Sequence, residues 1–200
     1  MQQVMNRKGK VIEDAPFMRA LFNDRRFSVL WLVLRVWLGY KWIDSSLGKI
    51  SNPAWVQTGD ALKGFWSGIV VVPESGRPAI AFDWYRTFIQ TMLDAEAYTW
   101  FAKLVAYGEL LIGIALILGI FTGIAAFFGG FMNWNFMMAG SASSNPMLFV
   151  VAIGLILAWK IAGYIGVDYF LLPTLGTPWG NTDEQTSDRV PEAVWAPSGD

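Results

Sequence analysis

The chain has 200 residues, a formal net charge of −1 and 54% hydrophobic residues, with 11 Trp and neither Cys nor His. The missing Cys and His exclude disulfides, a Cys/His zinc site, an iron–sulfur cluster and a His- or Cys-ligated haem. They also exclude a His general base, a thiol nucleophile and a Ser-His-Asp triad. No basic stripe lies outside the N-terminus, so nothing points to nucleic acid.

In chain order, residues 11–26, "VIEDAPFMRALFNDRR", predict a short interfacial helix with Asp14 as N-cap and Pro16 in its first turn. Four apolar runs near bilayer length follow. They are 27–47 ("FSVLWLVLRVWLGYKWIDSSL"), 98–121, 122–140 and 146–170. The alternative, a soluble all-helical protein, would have to bury all four within 200 residues. Arg35, Lys41 and Asp44 make the first run unlike a cleaved signal. The expected fold is therefore all-α: an integral membrane four-helix bundle over 27–172, with an extracellular insertion at 48–97.

Within the insertion, "PAWVQTGDALKGFWSGIVVV" and "PAIAFDWYRTFIQTML" space their aromatic and aliphatic residues helically, with "PESGRP" as the turn between them. They read as two amphipathic helices at the outer interface. The tail, 173–200, is polar and rich in Pro and Gly. Residues 1–26 carry six Lys and Arg, against four in 48–97. This bias predicts a multi-pass protein with both termini cytoplasmic.

The polar residues inside the runs carry the functional argument. Counting along each helix from its cytoplasmic end puts Arg35 at about 12 Å, Lys41 at about 21 Å and Glu109 at about 18 Å. Asn133, Asn135 and Lys160 fall at about 16, 20 and 15 Å. All lie near the middle of a layer about 30 Å thick. Such groups are costly against lipid, so they are expected to face one another. Glu109 can pair with Arg35, Lys41 or Lys160, which leaves a surplus of two positive charges that suits an anion. Trp134 points away from its two Asn neighbours and reads as a packing residue or pocket wall. Asp44 and Lys103, at matching depths, are expected to form a structural ion pair. Small residues at Gly123, Ala126 and Gly130, and at Gly154, Ala158, Ala162 and Gly166, predict close helix approach. No metal site is expected.

The stretches "LRVWLGYKWIDSSLGKI", "GELLIGIALILGIFTGIAAFF" and "GGFMNWNFMMAGSASSNP" resemble the DoxX/DoxD family over residues 27–172. The likeness is closest to the DoxD-like large subunit of thiosulfate:quinone oxidoreductases. The resemblance implies a subunit of a prokaryotic plasma membrane that works with a smaller DoxA-like subunit. It implies oxidation of thiosulfate to tetrathionate, with a membrane quinone as electron acceptor. It supplies no catalytic residues, so the binding candidates Arg35, Lys41, Glu109, Asn133, Trp134, Asn135 and Lys160 rest on depth alone. Two other readings stand beside it: a non-catalytic scaffold subunit of a respiratory or photosynthetic complex, and a small transporter.

Overall fold

The computed structural model describes residues 15–176. Every regular element among them is helical. The N-terminal helix α1 (Pro16–Asn23) has Pro16 at its first position and Ala15 at its cap, with no side-chain cap bond. Asp14, expected to cap it, lies outside the described residues. A short 3-10 turn (Arg25–Phe27) leads into α2 (Ser28–Ile50). The segment after it folds as α3 (Pro53–Val56), α4 (Asp60–Ile69) and α5 (Asp83–Asp94). Then come α6 (Tyr98–Leu118), α7 (Thr122–Met138), α8 (Asn145–Leu157), α9 (Trp159–Ala162) and α10 (Asp168–Thr174).

By length and composition, α6 is the one described helix long and apolar enough to cross a membrane, and α8 is a shorter apolar helix. The other two long helices miss that measure for separate reasons. Arg35, Lys41 and Asp44 interrupt α2, and α7 is only 17 residues long.

Two antiparallel pairs build the body. In the first, α2 lies along α6 with Gly39 against Gly113. A Cβ at Gly39 would stand 2.8 Å from the Gly113 carbonyl oxygen, so only glycine permits this approach. In the second, α7 lies along α8, where Gly130 meets Ala152. The pairs close over a core that includes Trp31, Leu38, Trp42, Leu116, Ala126 and Leu155. The outward faces are apolar as well. Val33 on α2, Leu111 on α6, Phe127 on α7 and Val150 on α8 are each more than half exposed. The fully buried side chains include Arg35, Glu109, Asn133 and Asp168. Apolar outside with charge inside is the arrangement suited to lipid, not water.

A second core caps one end. Leu62 and Trp66 of α4 and Tyr85 and Ile89 of α5 pack on Tyr98 and Ala102, at the start of α6.

The expected fourth run, 146–170, is not one helix. It ends at Leu157, bends through Ala158 (φ −88°, ψ 13°), makes one more turn as α9, and then folds back through Gly163–Val167 into α10. The cause is a docking site for Asp168. A Cβ at Gly163 would collide with its carboxylate, and one at Gly166 would come 2.6 Å from Nη1 of Arg35. Gly166 is therefore off the expected small-residue stripe. Gly154 still keeps to its part, receiving the Trp31 ring.

Candidate functional site: two buried polar centres

The first centre fastens one end of the molecule. Arg35 leaves the first half of α2, level with the corner between α6 and α7, and is 1% exposed. Its Nη2 donates to the Ile165 carbonyl at 2.8 Å, and its Nη1 lies directly under Gly119. Gly119 (φ 71°) and Phe121 (φ 45°) form a left-handed corner between α6 and α7. For Phe121 that conformation costs about 1–2 kcal/mol. Asp168 holds the corner: its carboxylate accepts from the Phe121 N–H at 2.6 Å and the Thr122 N–H at 2.8 Å. It thereby caps α7 from outside the helix, where a negative charge is favoured. The same carboxylate offsets the charge of Arg35 without forming an ion pair with it, and Arg35 Nε and Nη1 find no hydrogen-bond partner among the described residues.

The second centre lies farther along the same helices. Lys49, near the end of α2, donates to Glu109 Oε2 at 2.7 Å and to Ser45 Oγ at 2.7 Å. Its ammonium lies 5.5 Å from the Trp55 ring centroid. Glu109 itself is wholly buried, whereas Lys49 keeps 18% of its side chain exposed.

At or within one helical turn of the level of Glu109, several polar groups find no hydrogen-bond partner among the described residues. They are Oε1 of Glu109 itself, Oγ of Ser46, Nε1 of Trp42, and both amide atoms of Asn133. Their common level follows from the packing. The Trp42 indole and the Ile112 side chain both lie against Gly129, at 3.0 and 3.3 Å from where its Cβ would sit. One helical turn from these residues, towards the α4–α5 cap, come Ser46 on α2, Glu109 on α6 and Asn133 on α7. Three helices thus each bring one fully buried polar side chain to the same height. Leaving each group unmatched costs about 1–3 kcal/mol, so a partner presenting donors and acceptors would be strongly favoured.

The depth-based candidates therefore divide. Arg35 and Glu109 are both interior, but they serve different centres. Lys49, the counter-charge of Glu109, stands about 21 Å beyond Arg35 along α2. Lys160 belongs to neither centre, because it is partly exposed and donates to Asn23 at 3.4 Å. Lys41 faces outward beside the Tyr40 ring. The single cavity lined by Arg35, Glu109 and Lys160 does not form.

The surplus of two positive charges disappears with it. Glu109 is paired with Lys49, the buried Asp168 offsets Arg35 without an ion pair, and the other two cations are not interior. Asn135 also leaves the interior network. Its Nδ2 donates to the Phe131 carbonyl at 2.9 Å, and its Oδ1 accepts from the Tyr85 hydroxyl at 3.2 Å, joining α7 to α5. Trp134 is partly exposed and stacks on Phe131.

Asp44 and Lys103 are both exposed, and no ion pair joins them. The reason is register. Gly39 against Gly113 and Lys49 against Glu109 set Asp44 about one and a half to three turns away from Lys103.

Residues 30–140 match the DoxX family model. The chain belongs to the DoxX family. As a DoxX protein it is membrane-associated, in agreement with its apolar outer faces. No curated protein and no solved structure matches the chain. The matched segment holds Arg35, Lys49, Glu109 and Asn133, but it ends before Asp168.

Lys49, Ser46, Trp42 and Asp168 escaped the reading by sequence. Lys49 sits past the expected end of the first run. However, no proline stands between 47 and Pro53, and that was the available signal for a helix continuing past Leu47. For Asp168 the signal was a pair of glycines, 163 and 166, just before a lone acid in an apolar run.

Proposed function

We propose that this DoxX protein is the membrane subunit of a quinone-linked oxidoreductase. In this reading α2, α6, α7 and α8–α9 cross a prokaryotic plasma membrane with both termini cytoplasmic. The centre at Ser46, Glu109 and Asn133 takes the quinone head group. One observation carries the proposal: unpartnered polar atoms of Ser46, Glu109 and Asn133 share one buried level across three helices, with the unpartnered Trp42 indole N–H one turn away. A quinone carbonyl accepts hydrogen bonds, which Trp42 Nε1 and Asn133 Nδ2 can donate. A quinol hydroxyl donates one, which Glu109 Oε1 can accept. Trp42 and Ile112 supply apolar walls at the seam between the two helix pairs, through which a lipid-soluble ring would enter. When bound, the quinone supplies the two-electron, two-proton acceptor chemistry that this chain's own side chains lack.

Thiosulfate, the donor implied by the DoxD resemblance, does not suit this centre. A dianion wants a net positive site, and here Glu109 already balances Lys49. Thiosulfate oxidation would therefore take place at another surface or on the smaller DoxA-like partner.

Solvent extraction of protein purified in mild detergent tests the reading. About one quinone per chain is expected, lost in Asn133→Leu. A chain that carries no quinone and takes up none from quinone-loaded vesicles returns the centre to a helix-packing role.

A further inference from the structure

The outward face of α2 carries a seam that the chain itself does not cover. Val33, Val36, Trp37 and Tyr40 recur at steps of three and four residues, Leu47 follows seven residues on, and each of the five is at least 37% exposed. The first four of these, with Leu32, line one shallow channel along the helix. Lys41 and Asp44 lie on the same outward side. Their height is fixed by Trp42, whose indole meets Gly129 midway along α7. Two charges therefore face outward near the middle of the bundle, with no ion pair to each other or to any described residue.

A charge there costs about 2.5–3.5 kcal/mol against hydrocarbon. Lysine can stretch its stem towards the interface, but the short Asp44 side chain cannot.

We propose that this seam binds a second copy of the chain, α2 against α2, about a two-fold axis normal to the membrane. The proposal rests on the membrane-spanning reading of α2. The charge pattern selects the occupant. Lys41 and Asp44 are three residues apart, about 4.5 Å along the axis. With the two helices running in the same direction, Lys41 of one copy comes within reach of Asp44 of the other. The symmetry repeats the pair on the far side, as a self-complementary interface requires. Val33, Tyr40 and Leu47 form the apolar seam at seven-residue spacing. A Cβ at Gly48 would meet nothing within this chain, so the backbones can approach closely there.

The chain contains no Cys, so one introduced thiol reports without background. Tyr40→Cys and Leu47→Cys probe the seam, and Ile153→Cys on the outward face of α8 serves as control. Oxidation in native membranes should give disulfide-linked dimers from the first two variants and none from the third. In the Leu47→Cys background, Lys41→Asp or Asp44→Lys alone should abolish the cross-link. Co-expressing those two chains under different tags should restore it as a mixed dimer, which also shows that each variant still inserts and folds. Absence of cross-linking at both seam positions, or cross-linking indifferent to charge reversal, overturns the proposal. An alkaline wash of the same membranes separates the premises. Protein that stays in the membrane without cross-linking refutes the dimer alone, and protein that washes off refutes the spanning reading beneath it.

Discussion

The ammonium of Lys49 and the carboxylate of Glu109 meet at 2.7 Å across α2 and α6, with the acid wholly buried and the lysine reaching solvent. Removing one member of such a pair leaves an uncompensated charge, at a cost of about 3–5 kcal/mol. Lys49→Met should therefore lower thermal stability in detergent sharply. Lys49→Met combined with Glu109→Gln should recover much of the loss, because no charge is then stranded. A double-mutant cycle measures the coupling. Simple additivity would show that the pair contributes nothing to stability.

Asp168 holds the strained Phe121 corner from a segment 46 or 47 residues away in sequence. Asp168→Asn keeps the shape but cannot accept at both oxygens, and it removes the buried negative charge that offsets Arg35. A loss of about 2–4 kcal/mol is expected from the charged hydrogen bonds and the stranded cation. Hydrogen exchange should show the amides of residues 119–123 opening faster, while those of α4 and α5 keep their protection. Equal loss of protection at both ends would place Asp168 in general folding instead of in the corner.

The Tyr85 hydroxyl donates to the Asn135 carbonyl at 3.1 Å, and burial raises its pKa above the ordinary 10.0. A group that holds its proton more tightly when folded stabilises the fold fully below its unfolded pKa. That stability is lost as pH rises from 10.0 through the folded value. Tyr85→Phe should cost about 1 kcal/mol at neutral pH and flatten the alkaline fall in melting temperature. An unchanged alkaline slope would assign that fall to other groups.

Sequence periodicity carries far in this chain because long apolar helices leave few alternatives. The runs 98–121 and 122–140 correspond to α6 and α7, and Gly119 marks the corner between them. The run 146–170 misled because composition cannot distinguish a continuous helix from α8, a bend and a return segment that are all apolar. What broke it was the tertiary demand of Asp168 and Arg35.

The depth scale correctly suggested that Arg35, Glu109 and Asn133 turn inward. It failed for Lys41, Asp44 and Lys103 because depth says nothing about rotation around the helix or about register between helices. Those were set by the contact of Gly39 with Gly113, a tertiary fact that neither glycine announces alone.

The most direct test of the quinone-site account is a titration of the purified protein with a short-chain quinone, comparing wild type with Asn133→Leu. Leucine keeps the approximate volume and removes two unpartnered polar atoms. The account predicts a Kd about 10–100-fold weaker, equivalent to about 1.4–2.7 kcal/mol. It also predicts that the melting temperature without quinone is unchanged or higher, because a buried group with no partner has been replaced by an apolar one. Unchanged affinity, or a variant that loses stability in the absence of quinone, would contradict it and make Asn133 a packing residue.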